Sequence, residues 1–207
     1  MRALGFHPVE PVLITASEDQ TLKLWNLQKT IPAKKSASLD VEPVYTFRAH
    51  QGAVLSLAIS PAGDFLFSGG VDASIRVWKM PSINVDPYDS YEPSTLFASL
   101  VEHTDAVWGL SFHLARQQLL SCSADGTVKL WAPAQGASNA LVKSFGEAEF
   151  GSHGSPTSVD WVYEDPSRMV VAFEDAACII VDIESGKTVT SLDTASVRNI
   201  PHRLYPL

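Results

Sequence analysis

A nine-residue pattern that recurs at a fixed interval constrains the fold of this chain more than any other feature. Its three clear copies all end in tryptophan: Ser-Glu-Asp-Gln-Thr-Leu-Lys-Leu-Trp at Trp25, Gly-Val-Asp-Ala-Ser-Ile-Arg-Val-Trp at Trp78 and Ser-Ala-Asp-Gly-Thr-Val-Lys-Leu-Trp at Trp131. Their aspartates are 53 residues apart each time, since 72 − 19 and 125 − 72 are both 53: Asp19, Asp72 and Asp125. A fixed period of this kind predicts a repeat architecture in which one structural unit is used several times.

A histidine precedes the aspartate by 22 residues in the second and third copies, as His50 and His103. His153 stands in the same relation to Asp175, which indicates a fourth copy. This copy is degenerate, because Val181 stands where the tryptophan is expected and Val171 where a serine or threonine is expected.

Each copy predicts short strands rather than helices. In the second copy, runs rich in β-branched and aromatic residues lie at 44–47, 54–59, 65–69 and 74–78, with turn residues between them. Asp125-Gly126 in the third copy is the strongest hairpin signal of the chain. Four-stranded antiparallel sheets that repeat in this way are the blades of a β-propeller.

The sequence therefore predicts an all-β fold, a partial propeller of about four blades over residues 1–194. The predicted repeats cover about 1–27, 44–80, 96–132 and 141–184, a further unit starts with a strand at 187–192, and 195–207 forms a tail that matches no repeat. Aligning Asp19 with Asp72 sets Met1 against Val54, so we expect the first blade to lack its outer strand and histidine turn. Such an array leaves an apolar face at each end, which the short tail is not expected to cap, and favours self-association.

Composition excludes several classes of function. A net charge of −8 with a pI near 5.1 disfavours binding to the phosphate backbone of nucleic acids. The two cysteines, Cys122 and Cys178, lie in apolar strands and form no cluster with histidine, so we expect buried thiols and no metal site. The sequence has no apolar run of 18 residues that could span a membrane and no long apolar segment near its N-terminus of the kind found in signal peptides. It also has no Gly-rich phosphate-binding loop. We therefore expect a soluble cytoplasmic protein without a cofactor.

Serine, histidine and aspartate recur together with the tryptophan, and this suggests either a catalytic triad or a structural relay. A triad occurs once and needs an exposed nucleophile, whereas this set occurs at least twice, each time with a large apolar partner. We therefore predict buried hydrogen-bond relays and no catalytic residue. The relay residues are His50, Ser68, Asp72 and Trp78; His103, Ser121, Asp125 and Trp131; and, in the first copy, Thr15, Asp19 and Trp25.

The segment between the second and third copies holds a second group of candidate residues: Asp86, Tyr88, Asp89 and Tyr91. The acidic members, with Glu92, could hold a cation weakly, but their spacing does not fit an EF-hand and a solvated loop is favoured. The tyrosines could anchor a partner or pack against an adjacent blade.

These motifs resemble WD40 repeats, with Ala49-His50 and Glu102-His103 in place of Gly-His, and Trp25-Asn26 in place of Trp-Asp. Four further stretches are similar to the carboxy-terminal propeller of the striatin family: Phe6-His7-Pro8-Val9-Glu10-Pro11, the run from Glu18 to Leu27, Val85-Asp86-Pro87-Tyr88-Asp89 and His103-Thr104-Asp105-Ala106-Val107-Trp108-Gly109-Leu110. The resemblance covers about residues 2–194.

The resemblance implies a non-enzymatic scaffold. Striatins are regulatory subunits of protein phosphatase 2A and assemble kinases of the germinal-centre type, so we expect protein partners of that assembly and a cytoplasmic location, with membrane association through partners. The family's coiled-coil, caveolin-binding and calmodulin-binding segments precede its propeller and have no counterpart in this sequence. Two alternatives remain open at this point: an unstable truncated splice product, and a propeller hydrolase.

Overall fold

The computed structural model describes residues 1–30, 42–48, 50–81, 95–133 and 140–193. In these ranges the chain forms four antiparallel sheets of four strands each, which confirms the predicted all-β partial propeller. The first sheet contains β1 (Ala3–Phe6), β2 (Val12–Ala16), β3 (Thr21–Asn26) and β4 (Tyr45–Arg48). The second contains β5 (Val54–Ile59), β6 (Phe65–Gly70), β7 (Ile75–Lys79) and β8 (Leu96–Leu100).

The third and fourth sheets repeat the same order of strands. The third contains β9 (Val107–His113), β10 (Gln118–Ser123), β11 (Val128–Trp131) and β12 (Leu141–Phe145). The fourth contains β13 (Pro156–Trp161), β14 (Arg168–Phe173), β15 (Ala177–Asp182) and β16 (Thr188–Asp193). Two one-turn helices, α1 (Leu27–Thr30) and α2 (Glu147–Phe150), follow β3 and β12.

The sheets are out of phase with the sequence repeats, and this corrects two predictions. The strand predicted to open the second repeat, β4, pairs with β3 and completes the first sheet, so the first blade does not lack its outer strand. The strand predicted to begin a fifth unit, β16, pairs with β15 and completes the fourth sheet. In both cases the backbone hydrogen bonds join the strand to the sheet before it.

Each sheet turns between its second and third strands through an aspartate followed by a residue in the left-handed region. That residue is Gln20, Ala73, Gly126 or Ala176, with φ of 70°, 59°, 81° and 66° respectively. The preceding aspartate accepts a hydrogen bond from the backbone N–H two residues further on, at 2.9–3.3 Å in all four copies. The aspartate therefore stabilises its own hairpin before it takes part in any longer network.

The four sheets stack in chain order. β1 and β2 pack against β5, β5 and β6 against β9, and β9 and β10 against β13. Each of the three junctions encloses its own cluster of buried apolar residues. Burial of these side chains between neighbouring sheets is the main source of stability that the described residues provide.

One row of three cross-strand partners, here called the tryptophan row, lies on the face of each sheet that points toward the sheet before it. The four rows are Phe6–Leu13–Trp25, Ile59–Leu66–Trp78, Phe112–Leu119–Trp131 and Trp161–Met169–Val181. In the last three sheets the row packs into the cluster shared with the preceding sheet. The first row has no described sheet in front of it, and Phe6 is 65% exposed.

Candidate functional site

The second relay forms one continuous chain of hydrogen bonds from β7 to the turn before β5. The Trp78 indole Nε1 donates to Ser68 Oγ at 2.8 Å, and Ser68 Oγ lies 2.7 Å from His50 Nε2. His50 Nδ1 lies 3.1 Å from Asp72 Oδ1. Since an indole only donates, Ser68 accepts from Trp78 and has its own proton free for His50 Nε2. This assigns the proton on the His50 ring to Nδ1, where it is donated to the Asp72 carboxylate.

The third relay reproduces this geometry. Trp131 Nε1 donates to Ser121 Oγ at 2.8 Å, Ser121 Oγ lies 2.7 Å from His103 Nε2, and His103 Nδ1 lies 2.8 Å from Asp125 Oδ2. The Asp125 carboxylate also accepts from the Thr104 N–H at 3.1 Å and from the Thr127 hydroxyl at 2.6 Å. The relay thus ties the histidine turn, the second strand, the third strand and the hairpin of one sheet together.

Burial and hydrogen bonding shift the pKa values of the relay residues in a consistent direction. Burial lowers the pKa of both His50 and His103 below 6.5, although the facing carboxylates act in the opposite sense. Burial alone would raise the pKa of Asp125, but hydrogen bonds from Thr127, His103 and Thr104 lower it to about 2. At neutral pH each relay therefore contains a neutral imidazole and an ionised carboxylate.

The order of Ser, His and Asp matches a catalytic triad, but the surroundings of the serine exclude nucleophilic chemistry. Ser68 and Ser121 each have an exposed fraction of 0%, so no substrate can reach their hydroxyl groups. Their oxygens also accept the indole N–H bonds described above. A nucleophile must be accessible and face an oxyanion hole, and neither serine meets the first condition. The described geometry is that of a structural support.

The first copy forms only part of the relay. Trp25 Nε1 donates to Thr15 Oγ1 at 2.9 Å, whereas Asp19 accepts from the backbone and hydroxyl of Thr21 at 3.0 and 2.6 Å. Across the described ranges, no histidine hydrogen-bonds to Thr15 or Asp19. The structure thus brings two of the three predicted residues together and leaves Asp19 as an exposed hairpin cap.

The fourth copy keeps one link of the relay. His153 Nδ1 lies 2.9 Å from Asp175 Oδ2, but the two side chains are 32% and 45% exposed. Val171 and Val181 occupy the serine and tryptophan positions and are fully buried. The exposed pair is what remains when the serine and indole partners are absent.

Sequence reasoning missed the large side chain that packs in the tryptophan row of the fourth sheet, where the third strand has no tryptophan. Trp161 lies on β13, at the inner-strand position that Ile59 and Phe112 hold in the preceding sheets, and is 7% exposed. Its indole Nε1 donates to the carbonyl of Ser111 in the third sheet at 3.1 Å. The largest side chain of the row therefore lies on the first strand of this sheet and not on the third. Its place in the row follows from the register of β13 with Met169, which only the structure shows.

The other predicted groups divide between the described and undescribed parts of the chain. The interaction-loop residues Asp86, Tyr88, Asp89 and Tyr91 lie outside the described residues.

The two cysteines differ in burial. Cys122 is buried, which raises the pKa of its thiol to about 12. Cys178 is only half-buried, so the prediction of two buried thiols is wrong for this residue. Within the described ranges, no group of three histidine, cysteine or acidic side chains could hold a metal ion. No helix there is long and apolar enough to cross a membrane.

Comparisons with known proteins agree with this geometry. The family described as WD domain, G-beta repeat, matches residues 1–26, 41–79 and 94–132. The chain is 60% identical to Striatin-3 of Bos taurus, 53% to Striatin of Homo sapiens and 46% to Striatin-4 of Mus musculus, each over 94% of its length. It spans about a quarter of these relatives, 24%, 24% and 25% respectively.

The motifs quoted above also predict striatin-4, or zinedin, as the nearest member of the family. The identities correct this prediction, because 60% with Striatin-3 exceeds 46% with Striatin-4.

Proposed function

Because the chain belongs to the WD40-repeat family and matches the WD40 region of the striatins, we propose that it is a non-catalytic protein-interaction module of a scaffold. The observation that carries the proposal is the burial of both complete relays, with Ser68 and Ser121 at 0% exposure. Groups of this kind hold sheets together, and a repeat array built in this way presents surfaces to partners.

The proposed partners are components of a protein phosphatase 2A–kinase assembly in the cytoplasm, with membrane association through those partners. This choice rests on the similarity to the striatins, of which the chain spans about a quarter. The rival hydrolase function would need an accessible nucleophile–base pair, and the Ser–His pair of each complete relay is buried.

The end of the sheets that carries the histidine turns is the proposed partner surface. Trp108 at the start of β9 is 46% exposed, and Val101 just before the same turn is 68% exposed. Ser123 pairs with Val107, which places this strand start at the same end as the hairpin that follows β10. Tryptophan is one of the residue types enriched among the side chains that dominate interface binding energy. Glu102 and Asp105 lie in the same turn and are exposed, so the partner surface should be basic.

Binding to purified phosphatase 2A tests this proposal. We expect Trp108→Ala to weaken binding by at least about 30-fold, the change that corresponds to loss of an interface anchor. The matched control is Tyr163→Ala, which removes another exposed aromatic side chain, 93% exposed in the turn after β13. Equal binding by wild type and Trp108→Ala would reject this surface, and no binding by any form of the chain would reject this partner.

Assays of the purified chain on phosphoester, peptide and ester substrates test the non-catalytic part of the proposal. We expect no turnover. Turnover that disappears in Ser68→Ala, in a variant that retains a wild-type melting curve, would show that the relay is catalytic.

A further inference from the structure

A cavity of about 420 Å³ lies between the hairpin of the third sheet and the segment that leads into the fourth sheet. Asp125, Gly126 and Thr127 form one wall, and residues between Gly146 and Gly154 form the other. We propose that this cavity binds an arginine side chain of a protein partner. The inference rests on the proposed protein-interaction function only for the kind of ligand, a side chain of another protein.

The connection that forms the second wall is longer than the one before it. Two residues separate Leu100 from His103, whereas seven separate Phe145 from His153, a difference of five. Leu100 and Phe145 are equivalent, since each pairs with the residue three positions after the hairpin aspartate. The longer connection contains α2 and supplies most of the second wall. The cavity is therefore built largely by residues that the repeat does not contain.

Hydrogen bonds and packing hold the second wall in place. The Gly146 N–H donates to Glu149 Oε2 at 2.8 Å, and Thr188 Oγ1 donates to the Glu149 carbonyl at 3.2 Å. Phe150 is 5% exposed, and its ring centroid lies 5.4 Å from that of Phe173 in the fourth sheet. The wall is thus ordered before a ligand arrives, which reduces the entropy lost on binding.

Glycines keep the cavity open. Gly126 and Gly151 adopt φ of 81° and 76°, which favours glycine, and open space lies where their side chains would start. At Gly154 the nearest atom to that position is a Glu174 carboxylate oxygen, 4.0 Å away. Side chains at these positions would occupy space that is available to a ligand.

The charged side chains that line the cavity are both acidic. Hydrogen bonds lower the pKa of Asp125 to about 2, so it keeps its negative charge at neutral pH although its oxygens take part in the relay. Glu147 is exposed, and its carboxylate has no hydrogen-bond or ion-pair partner among the described residues. A cation in the cavity would therefore face one fixed carboxylate and one that is free to turn toward it.

Arginine suits this cavity better than lysine does. Its guanidinium is planar, pairs with a carboxylate through two N–H groups and is more weakly hydrated than an ammonium. Weak hydration matters because Phe150 lines the cavity and offers no hydrogen bond in exchange for lost water. A volume of about 420 Å³ lies within the range of about 300–1,000 Å³ found for ligand sites.

The cavity adjoins the surface proposed for partner binding. The Thr104 N–H, in the turn that also holds Glu102 and Asp105, donates to Asp125 at 3.1 Å. Both surfaces are acidic, so a basic segment of one partner would be attracted to the two together.

Titration of the ¹⁵N-labelled 207-residue chain with the peptide acetyl-Gly-Arg-Gly-amide tests the proposal. The readout is the amide resonances of the four glycines that line the cavity, at positions 126, 146, 151 and 154. We expect saturable shifts with a dissociation constant of about 1 mM, a weak affinity that suits a single side chain. A peptide with glutamine in place of arginine should leave these resonances unchanged, and a lysine peptide should bind at least about threefold more weakly.

Two charge reversals at exposed glutamates separate the cavity from the overall charge of the protein. Glu147→Arg should raise the dissociation constant of the arginine peptide at least about tenfold, because it places a cation beside the ligand. The matched control is Glu164→Arg, which makes the same change in the turn between β13 and β14. This variant should bind the peptide as the wild type does.

Three outcomes would overturn the proposal. They are equal shifts with the arginine and glutamine peptides, binding that Glu147→Arg leaves unchanged, and a lysine peptide that binds as tightly as the arginine peptide. None of them depends on phosphatase 2A. A chain that binds the arginine peptide but not the phosphatase would reject that partner and keep the cavity, and the reverse result would reject the cavity alone.

Discussion

The third and fourth copies of the relay share their histidine and aspartate but differ in the side chains around them. In the third copy the imidazole and carboxylate are 1% and 7% exposed and lie 2.8 Å apart. In the fourth they are 32% and 45% exposed and lie 2.9 Å apart. The nearly equal distances show that the contact between histidine and aspartate does not depend on the serine or the indole. What the serine and the tryptophan add is burial.

The aspartate persists in all four copies because it has two roles. It caps its own hairpin in every sheet, including the first, where no described histidine reaches it. The serine acts only in the relay, and the tryptophan acts in the relay and in packing at the junction between sheets. In the fourth sheet Trp161 provides that packing from another strand. This comparison leads to four predictions.

Loss of the tryptophan should have the largest effect. Trp131→Ala removes a side chain 1% exposed and leaves a cavity between the second and third sheets, which should lower the free energy of unfolding by about 3–5 kcal/mol. Val181→Ala at the matching position of the fourth sheet should cost less, about 2 kcal/mol, because it removes a smaller buried apolar surface and leaves a smaller cavity. Urea melts measure both. Equal losses of unfolding free energy would mean that Val181, and not Trp161, provides most of the packing at this junction.

Loss of the aspartate should have an intermediate effect in the third copy. Asp125→Ala leaves the buried His103 Nδ1–H and the Thr127 hydroxyl without their acceptor, and we expect a loss of about 1–3 kcal/mol. Asp175→Ala should cost less, since water can replace the exposed carboxylate beside His153. A loss at Asp175 as large as that at Asp125 would contradict the view that burial separates the two copies.

Exchange of the hairpin residues should have a smaller effect of opposite sign in the two copies. Gly126 adopts φ 81° and has open space where an alanine methyl group would lie, so Gly126→Ala adds only backbone strain, about 1 kcal/mol. Ala176 already bears that strain at φ 66°, so Ala176→Gly should stabilise the chain by less than this amount. Thermal melts of the two variants should shift in opposite directions. A shift in the same direction would show that a contact other than the strain controls this turn.

The smallest effect is expected in the pH dependence just below neutrality. Folding lowers the pKa of His50 and His103 below 6.5, so the unfolded chain binds more protons in this range. The stability from these residues is fully present above the unfolded pKa of 6.5 and declines as the pH falls below 6.5 toward the lowered pKa of the folded state. His103→Asn should therefore flatten the slope of unfolding free energy against pH. An unchanged slope would show that the third relay does not contribute to it.

Sequence spacing is most informative where the same side-chain chemistry is repeated. The fixed spacing places His50, Ser68 and Asp72 in one group and repeats the group 53 residues later. The period could not find Trp161, because that residue compensates for a loss and so breaks the repeat. Whether one side chain can replace another depends on which side chains are neighbours in the folded core, and sequence spacing does not contain this information.

The sequence by itself determined the number of copies, the all-β class and the pairing of histidine with aspartate, because side-chain chemistry recurs at a fixed interval along the chain. Only the tertiary structure decided where one sheet ends and the next begins. A period is the same wherever the count starts, so it cannot assign β4 to the first sheet or β16 to the fourth. That assignment comes from backbone hydrogen bonds, which any residue can form and which therefore leave no mark in the repeat.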